Sequence, residues 1–297
     1  LCFIFISLLS LFIIYRSFAL QNLNFFEYFS IFLLAILSLL LLASSSDLIS
    51  TYLLIEMQAL CFYVLASFRR SSAFSTEAGL KYFVLGAFAS GLILFGSSLI
   101  YGFTGTTNFE HLANLFLDKS QLFEHGTNAF EISIAFLAVG FLFKLAAAPF
   151  HMWSPDVYEG APTNSTALFA IVPKLAIFVL FIRLFHFSFY NLISCWQQII
   201  LFSAILSVIV GSFIALKQRK IKRLIAYSAI SHVGYLLLAF AIGSLEGTQA
   251  LFFYLIVYML TGICVWAIVM SLEVQTKHKN LAGLSFLLKS NPVLAFT

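Results

Sequence analysis

The sequence predicts an all-α, polytopic membrane protein, and three observations support that fold class. Of the 297 residues, 62% are hydrophobic and only 9% are charged, whereas soluble domains have roughly 45–50% and about 25%. Apolar stretches of about 20 residues recur, each long enough as a helix to cross a hydrocarbon core about 30 Å thick. These stretches lack the strict alternation over about ten residues that β-barrel strands show. We therefore expect residues 1–297 to form a single transmembrane domain in the lipid bilayer.

Apolar runs and helix breakers divide the chain into about nine complete transmembrane helices and the start of a tenth. The tenth begins near Phe286. Because the chain opens at Leu1 and Arg16 follows its first apolar run, we expect an excised piece of a longer protein and not a signal peptide. The nine predicted spans are residues 1–20, 25–44, 47–68, 79–103, 130–150, 163–185, 196–216, 223–243 and 249–272.

The distribution of basic residues supports this count. Loops after odd-numbered spans collect Lys and Arg, and the positive-inside rule therefore places them on the inner side of the membrane. The fifth loop is an exception, because Asp156 and Glu159 make it acidic. Topology explains most of the net charge of +4, and we find no signature of nucleic-acid binding. The odd-loop basic residues are Arg16, Arg69, Arg70, Lys81, Lys217, Arg219, Lys220, Lys222, Arg223, Lys277 and Lys279.

The longest loop, residues 104–129, has an apolar pattern of its own. Four large side chains recur there at helical spacing, which predicts a short amphipathic helix at the membrane interface. These side chains are Phe109, Leu112, Leu115 and Phe116.

Ionisable side chains inside the predicted spans are the strongest functional signal. Glu56 lies in the middle of the third span, Lys144 well inside the fifth and Lys174 in the middle of the sixth. Each costs at least about 2.5–3.5 kcal/mol at mid-membrane, so each suggests a function. His232, about halfway along the eighth span, is a fourth candidate.

Structural roles remain as alternatives for these residues. Glu56 and Lys144 could form an ion pair that only joins two helices. Lys144 could extend to the membrane surface, although its predicted helix continues to residue 150. His232 lies among small residues, where a histidine can also serve as a hydrogen-bond donor in helix packing.

Prolines accompany both buried lysines, since Pro149 follows Lys144 and Pro173 immediately precedes Lys174. Proline removes a backbone hydrogen bond, and broken helices at membrane depth are tolerated where they line protein or water. We therefore expect interrupted helices beside a hydrated path for protons, with the polar loop 151–162 at one end. The sequence has no motif for a redox cofactor, ATP or a metal, so the driving energy must come from elsewhere.

Five segments carry a resemblance to a known family. They are LIEMQALCFYVL (54–65), EAGLKYF (77–83), FKLAAAPFHMWSPDVYEGAPT (143–163), PK (173–174) and KRLIAYS (222–228). Together they resemble the antiporter-like membrane subunits of NADH:ubiquinone oxidoreductase, or respiratory complex I. Gln58 and the Tyr-Glu-Gly stretch at 158–160 favour membrane subunit 2 (chain 2, or subunit N) over its two sister subunits.

The resemblance implies an antiporter-like helix bundle with discontinuous helices that translocates protons. Glu56 and Lys144 would then be the family's ion pair and Lys174 its central relay lysine. His232 would be a polar station on the next broken or distorted segment. The first and last helices of the full subunit would be absent, together with a further lysine expected beyond Thr297.

The resemblance also implies membership of an enzyme whose redox chemistry lies in other chains. FMN, iron–sulfur clusters and ubiquinone would be held by other membrane and peripheral subunits, and this chain would hold no cofactor and no metal. We expect a multi-pass location in the mitochondrial inner membrane, with the bacterial plasma membrane as the alternative. A stand-alone cation/proton antiporter is the alternative function, and a purely structural spacer is a third possibility.

Overall fold

The computed structural model describes residues 4–11, 26–117 and 127–276. Regular structure in these ranges is helical, apart from an isolated bridge between Asp47 and Asn108. A π-helical turn, Ile182–Ser188, and a short 3₁₀ turn, Tyr190–Leu192, separate two of the helices. In chain order the helices are α1 (residues 4–11), α2 (Phe26–Ser44), α3 (Leu48–Ala66), α4 (Ala73–Thr104), α5 (Phe109–Leu117), α6 (Thr127–Lys144), α7 (Trp153–Gly160), α8 (Thr163–Phe181), α9 (Ile193–Ala215), α10 (Ile221–Ala241) and α11 (Leu245–Thr276).

Within the described ranges, 7 helical segments are long and apolar enough to cross a membrane. They coincide with the second, third, fourth and sixth to ninth predicted spans, which confirms the all-α membrane fold. The tenth predicted span and most of the first lie outside the described residues. The seven segments are Phe26–Ser44, Leu48–Ala66, Ala73–Thr104, Thr163–Ser188, Tyr190–Ala215, Ile221–Ala241 and Leu245–Glu273.

The fifth predicted span, residues 130–150, is wrong at its C-terminal end. Helix α6 stops at Lys144, and residues 145–152 form turns that lead into the short helix α7. Lys144 is therefore the last residue of an interrupted helix and does not lie well inside a continuous one.

Backbone geometry explains where α6 ends. Ala146 has a left-handed φ of 59°. Its N–H donates to Phe143 O over 2.9 Å, and Ala147 N–H donates to Leu142 O over 3.0 Å. These are the two bonds of a Schellman motif, in which glycine is the usual left-handed residue. An alanine at this position costs on the order of 1 kcal/mol or more, so the surrounding structure must hold the break in place.

The expectation that Pro173 breaks its helix is also wrong. Helix α8 is continuous around the proline, and irregular backbone appears only in the π-helical turn Ile182–Ser188. Lys174 consequently lies on a regular helix, with its position fixed by the neighbours of α8. His232 likewise lies on the regular helix α10 and not on a broken or distorted segment.

Helix α8 is at the centre of the described bundle. Every side chain from Thr163 to Phe178 is buried, and α2, α3, α7 and α11 all contact this helix. Small residues bring other pairs of helices together. Gly211 of α9 lies directly against Ser231 of α10, and Gly140 of α6 lies against Ile93 of α4. A lysine on α8 is therefore enclosed by protein and does not face lipid.

The short amphipathic helix predicted in the longest loop is present as α5. Phe109, Leu112 and Phe116 are buried, and Phe109 O accepts a hydrogen bond from Ser188 Oγ over 3.0 Å. The apolar face of α5 therefore packs against the protein beside the π-helical turn.

Candidate functional site

The break after Lys144 is held by side chains from neighbouring elements. Trp153 of α7 donates its indole N–H to Phe143 O over 3.0 Å. Ser203 of α9 donates to Ala148 O over 2.6 Å, and Ser207 accepts from Ala148 N–H over 2.8 Å. Backbone groups that the helix no longer satisfies thus find partners inside the protein, as irregular backbone at membrane depth requires.

The amine of Lys144 contacts a neutral hydroxyl. Its Nζ donates to Ser90 Oγ of α4 over 2.9 Å. Glu56 of α3 acts on this amine electrostatically, but the two charges make no ion pair within the described part of the chain. The sequence-predicted pair is therefore close in space without direct contact.

Two polar atoms of α3 lie buried without a hydrogen-bond partner among the described residues. They are Glu56 Oε1 and Tyr63 Oη. The Tyr63 hydroxyl lies directly over Gly86 of α4, where a side chain would collide with it. Buried polar atoms of this kind are usually satisfied by ordered water. We call Glu56, Ser90 and Lys144 the Lys144 cluster.

Lys174 is more deeply buried, with 5% of its surface exposed. Its Nζ donates to Tyr258 Oη of α11 over 2.6 Å and lies 3.5 Å from Ala229 O of α10. No carboxylate contacts this amine within the described ranges. As with Lys144, the oxygens around the amine are neutral.

His232 lies beside this second amine. Its Nδ1 is 2.7 Å from Tyr254 Oη, and its ring centroid is 5.1 Å from that of Tyr258. The imidazole and Lys174 interact electrostatically. We call Lys174, His232, Tyr254 and Tyr258 the Lys174 cluster. Among the described residues, no hydrogen bond or ion pair joins it to the Lys144 cluster.

Sequence reasoning missed Ser90, Tyr254 and Tyr258. One signal was available for the tyrosines, because a spacing of four places both phenols on one face of a helix within an apolar span. Nothing in the sequence distinguishes Ser90 from the many other serines in these helices.

A third set of charged residues links α7 to neighbouring elements through ion pairs. Arg223 at the start of α10 pairs with Asp156 over 3.2 Å and with Glu159 over 3.1 Å. Lys81 of α4 pairs with Asp156 over 3.1 Å, and Lys220 pairs with Glu159. We call these five residues the α7 ion-pair network. The acidic fifth loop therefore lies against basic residues of the third and seventh loops, on the predicted inner side.

Near this network, a further pair of charged residues contacts the first turn of α8. Glu273 of α11 pairs with Lys222 over 3.2 Å and accepts a hydrogen bond from Thr163. A carboxylate near a helix N-terminus is favourable because of the helix dipole.

In the turn after the α6 break, His151 is half-buried, and burial lowers its pKa below the usual range.

Comparison with known proteins decides the family. The family model described as NADH:quinone oxidoreductase/Mrp antiporter, TM, matches residues 45–297. The chain belongs to this family. The match covers both lysine-bearing helices, α6 and α8, together with Glu56 and His232.

Members of this family with curated names are substantially similar to the chain. NADH-ubiquinone oxidoreductase chain 2 of Marchantia polymorpha is 51% identical over 278 residues, which cover 93% of this chain and 56% of that protein. NADH-quinone oxidoreductase subunit N of Paramagnetospirillum magneticum is 45% identical over 275 residues, covering 91% and 56%. The chain thus spans about half the length of these relatives, and the resemblance to membrane subunit 2 is confirmed.

Two solved structures share the fold of this chain. A chain of respiratory complex I from Thermus thermophilus superposes with a TM-score of 0.76 at 33% identity, covering 97% of this chain and 61% of that one. A chain of the Mrp complex from Dietzia sp. gives a TM-score of 0.85 at 23% identity, covering 99% and 54%. The second likeness shows the fold alone, and both agree with the predicted antiporter-like bundle.

Proposed function

We propose that this chain acts as a proton-translocating membrane subunit of an NADH:ubiquinone oxidoreductase. Its buried Glu and Lys side chains relay protons while quinone is reduced in other subunits. The observation that carries the proposal is Lys174, an amine enclosed at the centre of the bundle. It is 5% exposed, and its contacts are a phenol and a backbone carbonyl.

The neutral partners of the two amines support a relay over a purely structural ion pair. A lysine that directly contacts a carboxylate holds its proton firmly, because the charged form is favoured by the opposite charge. Lys144 and Lys174 instead contact hydroxyl oxygens. Each amine can then change its protonation state when the nearby charge is altered, and Glu56 is the charge placed to act on Lys144.

The free energy of a hydrogen bond to a buried amine is comparable to the free energy that moving a proton across the membrane requires. Moving one elementary charge across 100 mV requires about 2.3 kcal/mol. A hydrogen bond to a charged group contributes about 1.5–3 kcal/mol, so changing the partners of one buried amine alters its charged state by a comparable free energy.

The proposal assigns the redox chemistry to partner chains. FMN, iron–sulfur clusters and ubiquinone belong to other membrane and peripheral subunits, which couple electron transfer to the buried amines of this chain. We place the assembly in the mitochondrial inner membrane, supported by the plant relative at 51% identity against the bacterial relative at 45%. The bacterial plasma membrane is the alternative location.

A stand-alone cation/proton antiporter is the second candidate, because the matched family also includes Mrp antiporters. The Lys144 and Lys174 clusters could serve that exchange equally well. This candidate predicts Na⁺- or K⁺-dependent proton exchange in liposomes that contain this protein alone.

Native gel separation after mild detergent extraction distinguishes the two functions. Mass spectrometry locates the polypeptide, and in-gel staining locates NADH oxidation. We expect the polypeptide to migrate with a very large NADH-oxidising band. Migration as a small species without that activity would contradict the proposal and favour the antiporter.

A further inference from the structure

Helix α11 contributes two phenols to the surroundings of the central amine. Tyr254 and Tyr258 are four residues apart and therefore share a helix face. Tyr258 Oη is 2.6 Å from Lys174 Nζ, and Tyr254 Oη is 2.7 Å from His232 Nδ1. One face of α11 thus contacts both titratable groups of the cluster.

Tyr258 is the nearest polar partner of the Lys174 amine. Ala229 O lies farther away, at 3.5 Å, and the ring centroid of Tyr258 is 4.6 Å from the same amine. A charged amine buried in this way requires a hydrogen-bond acceptor, and the tyrosine oxygen is placed to be that acceptor.

A phenol has a property that a carboxylate at neutral pH lacks. It can accept a hydrogen bond from a charged amine, and it can also donate one to a neutral amine. Tyr258 can therefore keep its contact with Lys174 in both protonation states, whereas an ionised carboxylate favours only the charged state.

We propose that Tyr258 is a positioning residue for Lys174, holding the amine beside His232 and stabilising its charged form without a carboxylate. This inference rests on the proposed relay function. It assigns α11 a part in setting the protonation of Lys174, through a tyrosine hydroxyl.

Several titratable groups face this contact from the packed helices. His232 on α10 interacts electrostatically with Lys174. Tyr158 on α7 and Tyr254 on α11 interact electrostatically with Tyr258. Among the described residues none of these is a carboxylate, so Tyr258 is the partner whose removal should change the amine most.

The test uses the full subunit in its assembled complex and measures NADH-driven proton pumping by sealed membranes as a function of pH. Tyr258→Phe keeps the ring and removes the oxygen. We expect pumping to fall about tenfold, the change in equilibrium that loss of a hydrogen bond to a charged group produces. The alkaline limit of pumping should move about one pH unit lower, since the charged amine loses its acceptor.

Tyr235→Phe is the matched control, because Tyr235 is a half-exposed tyrosine of α10 whose ring is near Tyr254. It should leave both the rate and the pH profile unchanged. Native gels establish that each variant assembles before the pumping rates are compared.

If Tyr258→Phe fails to assemble, a second pair of variants replaces it. Tyr258→Gln retains an oxygen acceptor, and Tyr258→Leu has none at a similar size. At least threefold more pumping in the glutamine variant supports the positioning role, and equal pumping overturns it.

Lys174→Ala separates failure of this inference from failure of the relay. If Lys174→Ala abolishes pumping while Tyr258→Phe has wild-type pumping and an unchanged pH profile, the inference is wrong and the relay stands. If Lys174→Ala itself pumps normally, the relay is wrong and the inference falls with it.

Discussion

The buried amines and the α7 ion-pair network use lysine and arginine in opposite ways. Lys174 is 5% exposed, and its hydrogen-bond partners among the described residues are neutral oxygens. The side chain of Arg223 is 33% exposed and contacts two carboxylates. A buried charge without a partner charge carries a large desolvation cost. The pairs of the network are partly exposed, so water screens them. The buried set is therefore suited to changing its charge, and the network is suited to holding α7 in place.

The same difference predicts which substitutions affect transport and which affect assembly. Alteration of a buried charge should change pumping in complexes that still assemble. Alteration of a network charge should change stability or assembly while each assembled complex still pumps. The following substitutions test that separation.

Glu56→Gln should have the largest effect on transport. It preserves the shape of the side chain and removes the charge that acts on Lys144. We expect NADH-driven pumping to fall by about tenfold or more, because removal of a nearby opposite charge disfavours the charged amine. Glu77→Gln, which alters an exposed partner of Lys81, is the control; equal losses in the two variants would contradict the separation.

Ser90→Ala should have the next largest effect. Ser90 accepts the hydrogen bond from Lys144, and its loss should lower pumping about tenfold, because hydrogen bonds to charged groups contribute about 1.5 kcal/mol or more. Ser98→Ala on the same helix removes an exposed hydroxyl that donates to Phe95 O and should pump normally. Normal pumping by Ser90→Ala would show that the Ser90 contact is dispensable.

Arg223→Ala should act on stability. The substitution leaves Asp156 without one partner and Glu159 with only Lys220. We expect the free energy of unfolding to fall by about 1–2 kcal/mol, a modest value because the pairs are partly screened by water. Thermal denaturation of the purified complex should show a correspondingly lower midpoint. Pumping per assembled complex should stay near wild type, and its abolition would place Arg223 in the proton path.

Lys220→Ala should have the smallest effect. About half of its side chain is exposed, 51%, and exposed ion pairs typically contribute less than about 1 kcal/mol. Assembly and pumping should remain within about twofold of wild type. A severe assembly defect would mean that the network depends on this lysine as much as on Arg223.

Composition and apolar periodicity were sufficient to predict the helical membrane fold. The bilayer requires helices of about 20 residues, so runs of Phe, Leu and Ile locate them directly. The end of α6 could not be predicted in this way. It depends on Ala146 adopting a left-handed φ and on Ser203 and Ser207 from a helix more than 50 residues away along the chain.

The sequence singled out the charged residues of the candidate site but not the oxygens that contact them. Ionisable side chains are rare in apolar spans, so Glu56, Lys144 and Lys174 are conspicuous in the sequence. Which oxygen meets each amine depends on how helices pack, which a single sequence does not encode locally. The acidic fifth loop illustrates the same limit, because Asp156 opposes the positive-inside pattern until the structure places it against Lys81 and Arg223.

The most direct test of the central claim is the number of protons pumped per NADH oxidised by complexes carrying Lys174→Ala. Lys217→Ala, at an exposed lysine in the loop between α9 and α10, is the matched control. The account predicts that both variants assemble, that Lys217→Ala retains the wild-type ratio, and that Lys174→Ala pumps far fewer protons per NADH or loses turnover together with pumping. A wild-type ratio and rate in assembled Lys174→Ala complexes would contradict the account.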